Sequence, residues 1–193
     1  FLIKIAEKCE KERVRLVLDE CFVQFLTSGE EASMQLETGR FRYLFVLQAF
    51  TKIYAVPGIR LGYGISSDKA LLERMETVRQ PWSVSTPAQA AGLSALKEDH
   101  REEQTRQLVK SERERMEKEL ENLRIEYIPS EANFLLFNSE INWFEELKKR
   151  GILIRDCANY RGLGNGWYRM AVRLPEENDR LLECMKQVLN ERS

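Results

Sequence analysis

Apolar residues recur along this chain at two spacings, and the alternation between them predicts its elements. Leu2, Ile5 and Cys9 fall on one helical face, so Phe1 to Cys9 reads as helix. Val14 to Leu18 is a short apolar run that reads as a buried strand ending in Asp19-Glu20. Thr27 to Gly39 is polar and glycine-punctuated, a loop with a short helix. Tyr43 to Leu47 reads as a second buried strand, and Leu61 to Ile65 as a third. Ser66-Ser67-Asp68 offers an N-cap for a helix striped by Leu71, Leu72, Met75 and Val78, which Pro81 stops. A loop, Pro81-Trp82-Ser83-Val84, precedes a helix capped by Thr86 with Pro87 at its first position and a small-residue face of Ala88, Ala90, Ala91 and Ala95.

The segment Arg101 to Glu121 is the most charged of the chain. Leu108, Glu112, Met116, Leu120 and Leu123 recur in it at helical spacing, leaving one thin apolar face on a long helix. Both signs of charge interleave along it, which marks a solvated helix and not a nucleic-acid arm. Beyond it, 124–128, 133–137, 152–154 and 168–174 read as strands. Trp143 to Arg150 reads as a helix stopped by Gly151, and a last helix after Pro175 carries Leu181, Leu182, Met185, Val188 and Leu189. The first half therefore predicts an α/β unit with an open sheet, and the second a compact α+β unit. The boundary is placed in or near the long helix, dividing 1–97 from 98–193.

Composition narrows the function classes. The 193 residues carry 30 basic and 31 acidic side chains, a net charge of −1, so there is no basic excess for nucleic acid or an anionic membrane. Cys9, Cys21, Cys157 and Cys184 form no Cys-x-x-Cys pair and His100 is the only histidine, which argues against a metal site. Scattered thiols fit a reducing, cytoplasmic setting, and no apolar run reaches bilayer length. Because Phe1 already falls within a helix pattern, the chain reads as the carboxyl-terminal part of a longer protein.

Candidate chemistry gathers at strand ends, where open α/β sheets place functional groups. Asp19 closes the first buried strand. Lys52 follows the second, and Arg60 comes eight residues later across a Pro57-Gly58 pair. On spacing alone a lysine after a strand is an ordinary surface residue, and an aspartate there is a turn or cap. A phosphate with an aldehyde would employ both cations: the guanidinium forks onto phosphate oxygens, and the amine condenses with the carbonyl. In the second half, Arg155 ends one apolar run and Arg169 sits in another, with Arg173 an even number of residues further on and so on the same strand face. Ordinary surface arginines would produce the same pattern, but a bidentate donor beside apolar runs also suits a carboxylate or phosphate.

Thr51-Lys52-Ile53-Tyr54-Ala55-Val56-Pro57-Gly58-Ile59-Arg60-Leu61-Gly62-Tyr63 resembles the lysine signature of fold-type I pyridoxal-phosphate enzymes, closest to the branch of histidinol-phosphate aminotransferases and threonine-phosphate decarboxylases. The resemblance implies that Lys52 is the Schiff-base lysine, that Arg60 holds the cofactor phosphate, and that Thr51 assists it. Ala49 departs from the Ser or Thr common three residues before the lysine. Leu18-Asp19-Glu20-Cys21-Phe22 resembles the Asp-Glu-Ala-Tyr/Phe motif, which implies that Asp19 pairs with the pyridine nitrogen. Phe22 lacks the hydroxyl that many relatives direct at the ring's 3-oxygen, a departure that fits the decarboxylases better than the aminotransferases. Ile154-Arg155-Asp156-Cys157-Ala158-Asn159-Tyr160 and Tyr168-Arg169-Met170-Ala171-Val172-Arg173 are similar to the decarboxylases of cobalamin biosynthesis, and so is the Pro81 to Val84 loop. This implies that Arg155 and Arg169 grip the substrate's carboxylate and phosphate, in an order the residues leave open.

The resemblance runs over nearly the whole chain. It implies the end of a large cofactor domain followed by a small α+β domain, pyridoxal 5'-phosphate as cofactor, a small phosphorylated amino-acid substrate and a homodimer. The expected reaction is decarboxylation of L-threonine O-3-phosphate to aminopropanol phosphate. The alternatives are a histidinol-phosphate or related aminotransferase and, outside enzymes, a folded half-site without catalysis.

Overall fold

The computed structural model describes residues 1–98 and 100–192. The chain divides into two compact units, Phe1–Thr105 and the part from Arg106 onward. The division falls inside a long helix, eight residues past the boundary expected at 97/98.

In the first unit, helix α1 (Leu2–Glu12) is ended by Arg13 in the left-handed conformation, with backbone N–H groups returning to Cys9 and Glu10 carbonyls. Strands β1 (Leu16–Asp19), β2 (Leu44–Ala49) and β3 (Gly62–Ile65) form a sheet in that order, β1 parallel to β2 and β3 antiparallel to it. The two-residue alternation assigns the faces. Leu16, Leu18, Leu44 and Val46 pack with Ala6, Met34 and Phe41 in one apolar cluster. On the other face Val17 and Leu47 stay 54% and 37% exposed. There the ring of Phe45 lies over Gly64, where a Cβ would come within 2.3 Å of it, so this strand position takes only glycine without repacking. The segment Thr27 to Gly39, read as a loop with a short helix, forms two short 3-10 segments, Gly29–Ala32 and Gln35–Gly39, and a third, Val23–Phe25, precedes it. Between β2 and β3 comes a single helical turn, α2 (Phe50–Ile53).

Helix α3 (Lys69–Val78) is capped by Asp68, which accepts from the Leu71 N–H and is buried against Arg15 and Arg42. Its apolar stripe is not core: no α3 residue is buried, and Val78 is 82% exposed. Helix α4 (Thr86–Ala95) is capped by Ser85, not Thr86; the Ser85 side chain accepts from the Ala88 N–H, and Thr86 is already helical. A hydroxyl one residue earlier leaves Pro87 within the first turn, where its missing N–H costs nothing. The small-residue face buries Ala88 and Gly92.

Helix α5 (Arg101–Asn122) leads into the second unit and buries Val109, Glu112, Arg113, Met116 and Leu120; Leu108, expected inside, is exposed. Strands β4 (Glu126–Ile128), β5 (Phe134–Asn138), β6 (Arg155–Asp156) and β7 (Trp167–Ala171) form an antiparallel sheet in the order β4-β5-β7-β6. The third strand of this half begins later than the apolar run suggests. Ile152 is still bonded to the Leu147 carbonyl at the end of helix α6 (Trp143–Lys149), and pairing with β7 starts only at Arg155. Leu135, Phe137, Tyr168 and Met170 face inward. Trp143, Leu147 and the Leu181, Leu182, Met185 and Val188 stripe of helix α7 (Pro175–Asn190) complete the buried set, each full burial contributing about 1.5–3 kcal/mol before entropy is counted. Among the described residues no helix is long and apolar enough to cross a membrane.

Candidate active site

Asp19, Phe22 and Lys52 come together where the parallel strands β1 and β2 end. Asp19 is the last residue of β1, exposed, and paired in register with Leu47. One carboxylate oxygen accepts from the Cys21 N–H at 3.0 Å. Hydrogen bonds from the Cys21 thiol first, and from that N–H, hold the Asp19 carboxyl below the usual carboxylate range. The Cys21 thiol is itself pushed up to about 11, by burial first and then by the Asp19 carboxylate, with Lys52 pulling the other way. Cys21 thus senses both charges.

Lys52 projects from the one turn of α2, exposed, with its ammonium 5.5 Å from the centre of the Phe22 ring. Its neighbours Thr51 and Ile53 point inward and are buried, which fixes the direction in which Lys52 leaves the turn. The Phe50 N–H donates to the Leu61 carbonyl at 3.2 Å, closing the lysine loop at its base, so Lys52 and Arg60 share one short closed loop. Two non-glycine residues of that loop, Ala55 (φ 54°) and Arg60 (φ 58°), are left-handed, a costly conformation that tends to collect at functional loops. Arg60 is exposed and donates to the Pro57 carbonyl at 3.0 Å. Tyr54 stacks on Phe50 and donates to Glu102 at 2.6 Å; burial, then that hydrogen bond, raise its hydroxyl well above the usual phenol.

In the second unit Arg155 and Arg169 are directly opposite each other on β6 and β7, so both guanidinium groups leave the same sheet face. Arg155 donates to Asn159 at 3.1 Å and lies over the Tyr160 ring; Arg169 lies over the Phe134 ring at 5.1 Å. Like charges directly opposite on adjacent strands are unfavourable, and an anion between them reverses the sign. Arg173 does not join them: it lies past the end of β7 and pairs with Glu177 at 2.8 Å.

Sequence reasoning missed Cys21, Glu20, Gln48 and the Tyr54–Glu102 tie. Cys21 and Glu20 stand inside the Asp19 to Phe22 motif, and that adjacency was the one available signal. The donor set fits pyridoxal phosphate in kind: an amine at a strand end, a carboxylate already held ionised, and a guanidinium on the same loop.

The class I and II aminotransferase family model matches residues 1–184. The chain is 36% identical over 193 residues to a threonine-phosphate decarboxylase of Salmonella typhimurium, covering 98% of this chain and 52% of that one. It is also 36% identical over 186 residues to histidinol-phosphate aminotransferase 1 of Archaeoglobus fulgidus, covering 96% and 55%. The crystal structure of the histidinol-phosphate aminotransferase from Clostridium acetobutylicum matches with a TM-score of 0.91 at 30% identity, over 98% of this chain and 58% of that one. The chain spans about half the length of the curated relatives it matches. With that match over nearly all of its length, and with an α/β architecture corresponding to about half of the fold-type I structure, the chain belongs to the class I and II aminotransferase family, whose members use pyridoxal phosphate.

Proposed function

We propose that this chain carries the lysine and substrate-arginine portion of a pyridoxal-phosphate enzyme that decarboxylates L-threonine O-3-phosphate to aminopropanol phosphate in cobalamin biosynthesis. The observation that carries the reading is the convergence of Lys52, Phe22 and an ionised Asp19 at the ends of β1 and β2. Bound pyridoxal phosphate supplies an electron sink for the substrate's α-carbon. Lys52 would hold it through its amine, Asp19 at the ring nitrogen, and Arg60 with Thr51 at the phosphate. The fixed negative charge of Asp19 keeps a proton on that nitrogen. Arg155 and Arg169 would bind the substrate's anionic groups and so orient the bond that breaks.

Phe22 favours the decarboxylase reading, since it offers no hydroxyl at a position where many aminotransferases have one. The same reading carries a homodimer and a cytoplasmic location. Two assays on the purified protein separate the reactions: carbon dioxide release from L-threonine O-3-phosphate, and keto-acid-dependent amino transfer from histidinol phosphate. The first alone is expected; transfer without carbon dioxide would assign the aminotransferase, and absence of both would leave a folded half-site. Borohydride reduction with cofactor should label the peptide containing Lys52, and a label on another lysine would refute its role.

A further inference from the structure

Glu20, the residue after Asp19, turns the other way. Asp19 is exposed, while Glu20 is 8% exposed. Its carboxyl accepts three hydrogen bonds: from the Ser33 hydroxyl at 2.5 Å, from the Met34 N–H at 2.8 Å and from the Gln48 side-chain amide at 3.0 Å. Its own N–H donates to the Leu47 carbonyl at 2.9 Å. Gln48 belongs to β2, four residues before Lys52, and is 4% exposed. The oxygen of its amide is buried and has no hydrogen-bond partner among the described residues. Reversing the amide would aim that oxygen at the carboxyl, acceptor against acceptor, so the carboxyl dictates the amide's orientation. A buried carbonyl left unsatisfied is a standing cost, and it is accepted here to keep the end of β2 tied to the end of β1.

From this network we infer that Glu20 is a positioning residue: its buried carboxyl clamps the ends of β1 and β2 and thereby sets the spacing between Asp19 and Lys52. The inference rests on the proposed roles of those two side chains. Asp19 is one peptide unit from the clamp on β1, and Lys52 follows Gln48 by four residues, in the single turn α2 that continues β2. Neither touches the catalytic chemistry through Glu20 directly; both depend on it for where they stand.

Glu20→Met keeps the length of the side chain and removes both acceptor oxygens, leaving the Met34 N–H and the Gln48 amide without their acceptor. Glu20→Gln is the conservative rescue: its oxygen accepts from the Met34 N–H, and the Gln48 amide reverses so that its free oxygen accepts from the new amide. Two readouts are taken on parent and variants. The first needs no cofactor: hydrogen exchange of the Glu20 and Cys21 amides, with the α1 amides of the same unit as the internal control of fold. The second is the pH midpoint of the visible absorbance band that added pyridoxal phosphate gives. Glu20→Met is expected to speed exchange of the amides at positions 20 and 21 about tenfold or more, the scale of one buried group left unpaired, to leave the α1 amides unchanged, and to move the midpoint. Glu20→Gln is expected to return both toward the parent. Faster exchange with an unmoved midpoint would make Glu20 merely structural and overturn the inference, as would unchanged exchange or a Glu20→Gln variant no better than Glu20→Met. A parent protein giving no band would refute the function itself and the positioning role with it, whereas a normal parent with an unresponsive variant would refute the positioning role alone.

Discussion

Replacing Arg169 or Arg155 with alanine should separate binding from stability, and the structure sets both magnitudes. The two guanidinium groups stand opposite each other on β6 and β7, a like-charge cross-strand pair whose relief contributes roughly 0.2–1 kcal/mol to the folded state. Against that, each variant loses an arginine–ring contact, Arg169 over Phe134 or Arg155 over Tyr160, at exposed sites about 0.5–1 kcal/mol. The terms oppose and nearly cancel, so the thermal midpoint should move by no more than about 4 °C. Binding has no such cancellation. Each arginine is proposed to donate to an anionic group, and a hydrogen bond to a charged partner is worth about 1.5–3 kcal/mol, or about 10- to 150-fold in affinity. Calorimetric titration with L-threonine O-3-phosphate, alongside scanning calorimetry of the free protein, reads both. The double variant adds a distinction: losses that add imply one anionic group per arginine, and a second loss smaller than the first implies both on one group. A fall of more than about 8 °C in either single variant with affinity unchanged would show that the pair serves the sheet, and the reasoning would fail.

Phe22→Tyr should lower the pH midpoint of the bound cofactor's visible band by on the order of one unit, since a hydroxyl donated to the ring's 3-oxygen stabilises its negative charge by about 1.5–3 kcal/mol; an unchanged or higher midpoint in a spectroscopic titration would contradict this account. Gly64→Ala should destabilise the protein by about 1–3 kcal/mol, because its Cβ would stand 2.3 Å from the buried Phe45 ring, whereas Gly58→Ala, with nothing within 4 Å, should be neutral; equal melting temperatures for the two would refute the packing argument. Glu112 is held below its ordinary 4.5 by hydrogen bonds from Arg115 and, after burial's opposing push, from Asn178. The stability it contributes is present above pH 4.5 and lost as the pH falls through the lowered folded value. Glu112→Gln should therefore flatten the acid limb of a melting-temperature profile, and a variant with the same acid limb would assign that limb elsewhere.

Much of the fold was legible because period and punctuation agree. The last helix shows it: Pro175 starts α7, and Leu181, Leu182, Met185 and Val188 are its buried stripe. Legibility failed where a partner outside the local window decides. Ile152 to Ile154 has the wording of a strand, but Ile152 finishes the turn after α6, and strand pairing belongs to Arg155 and Asp156. The α3 stripe of Leu72, Met75 and Val78 has a core pattern with no core against it, and periodicity alone cannot say what will cover a face. In α5 Glu112, Met116 and Leu120 are buried as spaced, but at the start of the stripe Val109 is buried in place of Leu108, since neighbours about 100° apart around a helix compete for one thin face.

At the candidate site the legible part is chemistry and the illegible part is support. Lys52, Asp19 and Arg60 stand out through the motifs that carry the family resemblance, since on spacing alone a lysine or aspartate after a strand is an ordinary surface or turn residue, and the two arginines of the second unit stand out in the same way. That Arg155 and Arg169 are partners across a strand pair, while Arg173 is not, depends on a register that no spacing along one strand encodes. Glu20 was hidden for the opposite reason. A glutamate after a strand reads as solvated, and only the long-range approach of Gln48, Ser33 and Met34 reverses that reading. The side chains that would meet cofactor and substrate thus announce themselves through the motifs they belong to, although the charged ones among them are all exposed. Those that hold them in place look ordinary until three distant donors are found around one carboxyl.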